Sequence, residues 1–286
     1  MMNCVLCASP RACKKFSVID TDTIMRCSAC GLEFMWPQAD AAYRDQLYSR
    51  DYYQSWGDIR TNTALRAMKR KTADFYLNAI SRYKKSGALL DVGCAAGYLL
   101  ESARDRGFLP YGIEYSNYSA TVAQEKFGSD AVRIGTIETS NFPGHSFDVI
   151  TMIDLLEHVP DPVGTLSRAK EMLKPGGIIV IVTPDTDALT NVIMGKRWTH
   201  YKKEHLYYFN KQSMQALSSR TGFSMMHYGH GLKYITLEYV CNQYHIYKHR
   251  VLTPVTAVFN RVLPRTILTA PIPFRMGESL IVLSAL

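Results

Sequence analysis

One short stretch, from Leu89 to Leu100, constrains the fold of this chain more than any other. The apolar residues before Asp91 predict a buried parallel strand, and the small residues after it predict a tight turn that leads into a helix. Gly93 and Gly97 flank two alanines in that turn, so a ligand can approach the backbone closely. Because the N–H groups of such a turn attract negative or polar groups, the stretch predicts a ligand site at the carboxyl end of the strand.

A second acid strengthens this prediction. Glu114 ends the next apolar run, which predicts a second strand, and it follows Asp91 by 23 residues. That interval is close to the spacing expected for a carboxylate that binds ribose hydroxyls. The three residues between Gly93 and Gly97 do not fit the G-x-G-x-x-G pattern of nicotinamide sites. A glycine-containing turn that binds nothing is the alternative interpretation of the first motif alone.

Taken together, the two motifs resemble those of class I S-adenosylmethionine-dependent methyltransferases, and the resemblance covers most of residues 89–286. The family's first motif is an acid followed by three glycines at alternate positions, and Ala95 here replaces the middle glycine. The resemblance implies an α/β fold with a Rossmann-like, seven-stranded, doubly wound sheet whose seventh strand is antiparallel. It also implies that Asp91 holds the methionine end of the cofactor and that Glu114 holds the ribose hydroxyls.

The resemblance places further cofactor contacts in the turns that follow the other predicted strands. Thr136 and Ile137 lie where family members contact the adenine, and Ile153 and Asp154 end the fourth strand. The full set of residues predicted to bind S-adenosylmethionine is Asp91, Gly93, Ala95, Gly97, Glu114, Tyr115, Thr136, Ile137, Ile153 and Asp154.

Two cysteine pairs near the start of the chain predict a metal site. Cys4 and Cys7 form one C-x2-C pair, Cys27 and Cys30 form the other, and 19 residues separate them. This spacing is typical of four-thiolate sites that hold Zn²⁺ in a tetrahedron, and four cysteine ligands predict a structural rather than a catalytic zinc. Ordinary reduced thiols, or disulfides in an exported protein, are the alternatives. Cys13 is a spare thiol that could replace one ligand.

The order of these motifs divides the chain into three predicted regions. In proteins that this chain resembles, a tyrosine-rich linker covers the cofactor pocket, so Tyr52 and Tyr53 either contact the cofactor or pack the ribbon onto the main domain. The regions are 1–40, the zinc ribbon; 41–86, the linker and a helix over residues 58–83 that cover the cofactor pocket; and 87–286, the methyltransferase-like domain.

An insertion at about residues 231–276 precedes the last predicted strand. It is rich in Tyr, Val and Leu, it carries several basic residues, and four prolines interrupt it. We consider three interpretations: a lid over the substrate, a partner surface, or a basic amphipathic element that rests on a membrane. The lid or partner surface is the preferred prediction, and a peripheral membrane contact lacks sequence support of its own.

The segment from Asp185 to Asn210 is predicted to select the methyl acceptor, because it is dense in aromatic, basic and histidine residues. Histidine titrates near neutral pH, so His205 is the candidate catalytic base. Glu204 and Tyr208 are the candidates to orient that base or the acceptor. The alternative is that Glu204 and His205 only hold the loop against the sheet, and His158 is the second candidate base.

The net charge of +8 bears on partners and compartment. The excess of basic residues is consistent with binding to nucleotide-sugar phosphates, nucleic acid or an anionic membrane surface. It is equally consistent with a charged surface that only faces water. The first residues lack the apolar stretch of a signal peptide, and no uncharged apolar run approaches the length of a membrane span. We therefore expect a cytoplasmic protein, either a monomer or a homodimer.

The leading functional prediction is a small-molecule methyltransferase that acts on a sugar or nucleotide-sugar precursor with S-adenosylmethionine as donor. A ribosomal-RNA methyltransferase is the first alternative, since some of these also begin with a cysteine finger. Against it, and against a nucleic acid partner in general, the sequence after strand four lacks the Asn/Asp-Pro-Pro-aromatic motif that holds a base. A non-catalytic cofactor-binding scaffold is the second alternative.

Overall fold

The computed structural model describes residues 3–17, 22–38, 59–246 and 252–286 of the chain. Tyr52 and Tyr53, which were predicted either to contact the cofactor or to pack the ribbon onto the main domain, lie outside the described residues. The strands are β1 (Ala12–Ser17), β2 (Thr23–Cys27), β3 (Glu33–Trp36), β4 (Gly87–Val92), β5 (Phe108–Glu114), β6 (Val132–Ile134), β7 (Phe147–Ile153), β8 (Leu173–Pro184), β9 (Tyr207–Tyr208), β10 (Phe223–His230), β11 (Lys233–Ile235), β12 (Ile272–Phe274) and β13 (Glu278–Ala285). The helices are α1 (Thr63–Ile80), α2 (Tyr98–Asp105), α3 (Asn117–Phe127), α4 (Pro162–Met172), α5 (Leu189–Met194), α6 (Lys211–Arg220), α7 (Leu237–Ile246), α8 (Leu252–Val262) and α9 (Arg265–Leu268).

A seven-stranded sheet organises the structure, in the order β10-β13-β8-β7-β4-β5-β6. The central strands β4, β5, β7 and β8 pair in parallel, whereas β13 runs antiparallel to both of its neighbours. The predicted α/β sheet with an antiparallel seventh strand is therefore confirmed.

Strand β8 illustrates why the central strands are apolar throughout. Its residues alternate between two separate cores, so that Ile179 and Ile181 lie in one while Val180 and Val182 lie in the other. Successive side chains of a strand point to opposite faces. Since helices cover both faces of the sheet, neither set of side chains can be polar.

The cysteine-rich region forms a second, four-stranded sheet in the order β1-β2-β3-β9. Its fourth strand, β9, comes from the predicted acceptor segment and pairs Tyr208 with Glu33 and Tyr207 with Phe34. Phe34 also shares a hydrophobic core with Phe209 of the main domain. The ribbon is thus attached to the very segment that was predicted to select the acceptor.

Helix α6 carries the other attachment of the ribbon. Nη1 of Arg220 donates hydrogen bonds to the carbonyl oxygens of Val5 and Leu6, at 2.9 and 2.8 Å. Nε2 of Gln212 donates to the carbonyl oxygen of Ala29 at 3.1 Å. One helix of the main domain therefore contacts both cysteine-bearing turns.

Helix α1 is shorter than the predicted helix over residues 58–83. It begins at Thr63 because the side chain of Asn62 caps it, accepting a hydrogen bond from the N–H of Leu65 at 2.9 Å. Such a cap satisfies one of the free N–H groups at a helix start.

The insertion between β10 and β13 contains β11 and β12, which pair with each other, and the helices α7, α8 and α9. Among the described residues, no helix combines the length and the apolar composition that crossing a membrane requires.

Candidate active site

The glycine turn after β4 adopts the backbone conformation that its sequence predicts. Gly93 and Gly97 have φ angles of +81° and +79°, in the left-handed region that glycine enters at low cost. Ala95 has φ of +46°, which explains why a glycine is usual at this position in the family it resembles. A Cβ on Gly93 would lie 3.3 Å from Cδ1 of Leu155, so the loop after β7 contacts this turn.

Glu114, at the end of the neighbouring strand β5, stabilises the glycine turn through hydrogen bonds. Its Oε2 accepts a hydrogen bond from the N–H of Ala95, and its Oε1 accepts one from the N–H of Ser116, both at 2.8 Å. A carboxylate has about four lone-pair sites and can accept several hydrogen bonds at once. The turn and the acid are thus placed together, as a nucleoside ligand requires.

Asp91 lies within the sheet rather than on its surface. Its Oδ1 accepts a hydrogen bond from Oγ1 of Thr151, on the adjacent strand β7, at 2.6 Å. Burial raises the pKa of Asp91 to about 7, although the Thr151 hydrogen bond opposes this shift.

The other predicted cofactor residues lie in different surroundings. Tyr115 is exposed and Ile153 is partly buried, whereas Ile137 belongs to the hydrophobic core. The N–H of Thr136 donates to Oγ1 of Thr139 at 3.0 Å, within a local turn. The side chain of Ile137 is therefore part of the packing, and only its backbone can face a ligand.

Asp154 belongs to a cluster of polar side chains at the carboxyl end of β7. Its Oδ2 lies 2.9 Å from Nζ of Lys233, and the same Nζ lies 3.0 Å from Oε1 of Glu278. Nε2 of His200 is 3.6 Å from that Glu278 oxygen. We call this group, together with Glu157, His158 and His205, the polar cluster.

Charge compensation decides the protonation of Asp154 and Lys233. Burial disfavours both charged forms, but their mutual attraction outweighs it, lowering the pKa of Asp154 and raising that of Lys233 well above its usual value. For Glu157, burial, aided by the negative charge of Asp154, raises the pKa to about 8, although the Thr183 hydrogen bond and the charge of Lys233 oppose this shift. At neutral pH the cluster therefore contains both a charged pair and a carboxyl group that retains its proton.

His158 is held as a neutral ring with a defined tautomer. Its Nδ1 lies 3.0 Å from the carbonyl oxygen of Glu204, which can only accept, so Nδ1 carries the proton. Burial lowers the pKa of His158 to about 4, so the ring is uncharged at neutral pH. Nε2 is then the nitrogen that can accept a proton.

The structure places the three predicted catalytic residues on the ribbon side of the polar cluster. The His205 ring is buried and packs edge-on against His158, with 4.7 Å between the ring centroids. Tyr208 is completely buried, and its hydroxyl donates to the carbonyl oxygen of Lys202 at 3.0 Å. The sequence analysis predicted that Tyr208 orients the base or the acceptor, and in the structure its ring packs among the side chains of the ribbon sheet. The Glu204 side chain has Lys202 at 3.9 Å.

Burial also lowers the pKa of His205 well below its usual value, with the positive charge available to His158 acting in the same direction. Among the described residues, its Nδ1 has no hydrogen-bond partner. A buried polar nitrogen of this kind costs free energy unless a ligand or water satisfies it.

Within the described part of the chain, two groups of side chains have metal-ligating geometry. The sulfur atoms of Cys4, Cys7, Cys27 and Cys30 all lie within 4.8 Å of one another, with Cys4–Cys30 and Cys7–Cys27 both at 3.6 Å. A tetrahedral zinc with Zn–S bonds of about 2.3 Å requires sulfur separations of about 3.8 Å, so the four thiols fit this ion. Glu157, His158 and His205 form the second group within the same limit. Cys13 is exposed on β1, outside the first group.

The two cysteine turns share one backbone conformation. Gly31 has φ of +74° and donates its N–H to the Cys27 carbonyl, while Ala8 has φ of +55° and donates to the Cys4 carbonyl. This repetition supports a single ligand held symmetrically by both turns.

Sequence reasoning missed Lys233, Glu278 and His200 as members of the polar cluster. Lys233 lies in the insertion, 79 residues after Asp154, and only the pairing of β11 with β12 brings it back to the sheet. The one available signal was Glu278 directly after Gly277, an acid at the start of a strand that is otherwise apolar.

Comparison with known families agrees with the fold. Residues 64–228 match the family model described as "Methyltransferase domain". The match spans more than half of the chain, so the chain belongs to this methyltransferase family.

Curated relatives match over a shorter region. The ubiquinone biosynthesis O-methyltransferase of Saccharophagus degradans is 37% identical over 100 residues, which cover 33% of this chain and 42% of that protein. The chain thus spans less than half the length of the curated relatives it matches.

Solved structures share the fold at low identity. The magnesium protoporphyrin IX methyltransferase of Synechocystis, with bound SAH, superposes with a TM-score of 0.55 at 12% identity, over 86% of this chain and 100% of that one. A SAM-dependent methyltransferase of Thermotoga maritima, described as a possible histamine N-methyltransferase, gives 0.52 at 17% identity, over 82% and 96%. These likenesses support the fold.

Proposed function

We propose that this protein is an S-adenosylmethionine-dependent O-methyltransferase that acts on a small hydroxyl-bearing molecule. The observation that carries the proposal is the left-handed glycine turn braced by Glu114, which supplies backbone N–H groups and carboxylate oxygens at the ends of adjacent parallel strands. Family membership and the named O-methyltransferase relatives support it. Asp91, Gly93, Ala95, Gly97, Glu114, Tyr115, Thr136, Ile137, Ile153 and Asp154 stay the proposed cofactor set.

When bound, S-adenosylmethionine supplies an electrophilic methyl group. We propose that Nε2 of His158 takes the proton of the acceptor hydroxyl as the new O–CH3 bond forms, since Nδ1 is committed to the Glu204 carbonyl. Lys233 remains charged and favours the deprotonated acceptor oxygen. The C–S bond breaks in the same displacement, and the electron pair leaves with the thioether.

The sequence analysis predicted that His205 is the catalytic base. Its burial and its edge-on contact with His158 support a positioning role instead, in which His205 fixes the orientation of the His158 ring. Glu204 contributes through its backbone carbonyl rather than through its carboxylate.

The acceptor class is the least constrained part of the proposal. The name of the curated relatives says that they methylate oxygen in ubiquinone biosynthesis, which favours a phenolic hydroxyl here. A sugar or nucleotide-sugar, the acceptor predicted from the sequence, offers the same reacting group and belongs in the same screen. We also propose a structural zinc on Cys4, Cys7, Cys27 and Cys30, and a cytoplasmic location.

The direct test is transfer of a labelled methyl group from S-adenosylmethionine to a panel of phenols, sugars and nucleotide-sugars. We expect one class to be methylated on oxygen, with His158→Gln lowering kcat at least about 100-fold and shifting the pH profile. His205→Gln should lower kcat less and leave the shape of that profile in place. Absence of transfer to every class, with intact cofactor binding, would favour a cofactor-binding scaffold.

A further inference from the structure

Helix α8 turns its apolar face away from the protein. Val255, Val258, Phe259 and Val262 recur at the i, i+3, i+4 and i+7 spacing that places them on one side of a helix. All four are exposed, Val262 by 70%, whereas Thr256, which lies off this stripe, is buried. A surface helix of a globular protein normally packs its apolar side against the core and exposes its polar side. The exposed stripe of α8 therefore indicates a partner other than the described residues.

The sequence around this helix carries one sign of charge. Residues 239–277 contain no Asp or Glu, and they contain five Lys or Arg residues, namely Lys248, Arg250, Arg261, Arg265 and Arg275. Arg261, Arg265 and Arg275 are exposed. One neighbouring acid, Glu238, lies 3.8 Å from Arg265 and neutralises part of its charge. The combination of an apolar stripe and flanking arginines is typical of helices that bind anionic membrane surfaces.

Strand β12, in the same insertion, also exposes apolar side chains. Ile272 and Phe274 are exposed, and the register pairs Phe274 with Lys233 on β11. Lys233 is also the cation that pairs with Asp154 in the polar cluster. One hairpin therefore connects the exposed surface with the proposed acceptor site.

Helix α5 repeats the pattern beside β12. Leu189, Val192 and Ile193 are all exposed at i, i+3 and i+4 spacing, and two basic residues follow the helix. Oγ1 of Thr190, in the same helix, donates to the carbonyl oxygen of Met276 at 3.0 Å. The second stripe thus contacts the chain directly after β12.

We propose that the interfacial surface, formed by Val255, Val258, Phe259, Val262, Ile272 and Phe274, docks on the surface of an anionic lipid bilayer. The apolar side chains enter the boundary between headgroups and acyl chains, and the arginines contact lipid phosphates. This binding goes beyond the proposed catalytic function and does not depend on it.

Charge favours a bilayer over a second copy of the chain as the occupant. A symmetric dimer through this surface would bring the arginines of both copies together, and Glu238 compensates only part of the charge of Arg265. An anionic bilayer supplies the opposite charge and an apolar layer at once.

The test is co-sedimentation of the full-length protein with vesicles of phosphatidylcholine alone and of equal parts phosphatidylcholine and phosphatidylglycerol. We expect binding to the anionic vesicles that weakens with added salt. Val258→Ser/Phe259→Ser should weaken it about tenfold, because two apolar side chains no longer leave water. Leu109→Ser is the matched control, since Leu109 is an exposed apolar residue on β5 outside the surface, and it should bind like the wild type.

Charge is tested separately with Arg261→Gln/Arg265→Gln, which should weaken binding to anionic vesicles about tenfold. Circular dichroism of each variant verifies that the fold is retained. Failure of the wild type to bind anionic vesicles would overturn the proposal, as would unchanged binding of the serine variant. Self-association that the serine variant abolishes, in place of vesicle binding, would identify the surface as a dimer interface and overturn it too.

Discussion

The cysteine-rich ribbon and the insertion are both additions to the central sheet, yet the ribbon buries most of its hydrophobic residues while the insertion exposes several of its own. Leu6 and Leu32 of the ribbon are 1% and 0% exposed, because they pack against the main domain. Val258 of the insertion is 57% exposed on helix α8. The ribbon thus packs against the main domain of this chain, whereas the apolar stripe of α8 has no such packing among the described residues.

The largest expected effect comes from removing the zinc ligands. We predict that Cys27→Ser/Cys30→Ser abolishes zinc binding and lowers the free energy of unfolding by about 5 kcal/mol, because a structural metal stabilises only the folded state. Metal analysis and urea unfolding measure both quantities. Cys13→Ser is the control, since this thiol lies outside the four-cysteine group. Equal zinc content in the double variant and the wild type would refute the proposed metal site.

A matched pair of truncations tests the comparison itself. Leu32→Ala, in the ribbon, should lower the free energy of unfolding by about 3 kcal/mol, since it leaves a cavity in a shared core. Val262→Ala, on α8, should change it by less than about 0.5 kcal/mol, because that side chain already contacts water. Chemical unfolding of both variants measures the difference. A large loss in Val262→Ala would mean that the apolar stripe of α8 is covered within the chain.

The smallest predicted effect is the pH dependence of stability that Glu157 of the polar cluster causes. Burial raises the pKa of Glu157 to about 8, so this carboxyl holds its proton in the folded state while it ionises at about pH 4.5 in the unfolded state. Its contribution to stability is therefore present below pH 4.5 and is lost as the pH rises through about 8, by up to about 1.4 kcal/mol per pH unit.

Glu157→Gln removes this titration. We expect the variant to lose less stability than the wild type between about pH 5.5 and about pH 7.5. Unfolding in urea at both values measures the difference, and the histidines of the cluster contribute equally to both proteins. Parallel stability curves for the two proteins would show that Glu157 is ionised when folded.

Local patterns were sufficient to predict the sheet and the conformation of the glycine turn, which is the proposed cofactor site. The apolar strands and the positions of Gly93 and Gly97 follow from backbone geometry and burial, which neighbouring residues determine. The direction in which α8 faces could not be predicted, because a periodic stripe looks the same whether it meets a core or a membrane.

The polar cluster could not be predicted from the sequence for a related reason. The ion pairs of Lys233 with Asp154 and Glu278 join residues far apart in the sequence, and only the tertiary fold brings them together. The pairing of β9 with β3, in which the buried Tyr208 takes part, is likewise a long-range contact.

Calorimetric titration of the zinc-loaded protein with S-adenosylhomocysteine tests the central claim most directly. The glycine turn and Glu114 predict binding in the micromolar range, on the order of −8 kcal/mol. Absence of binding in a folded, zinc-loaded sample would contradict the claim, because the turn would then share the conformation of a cofactor site without its function.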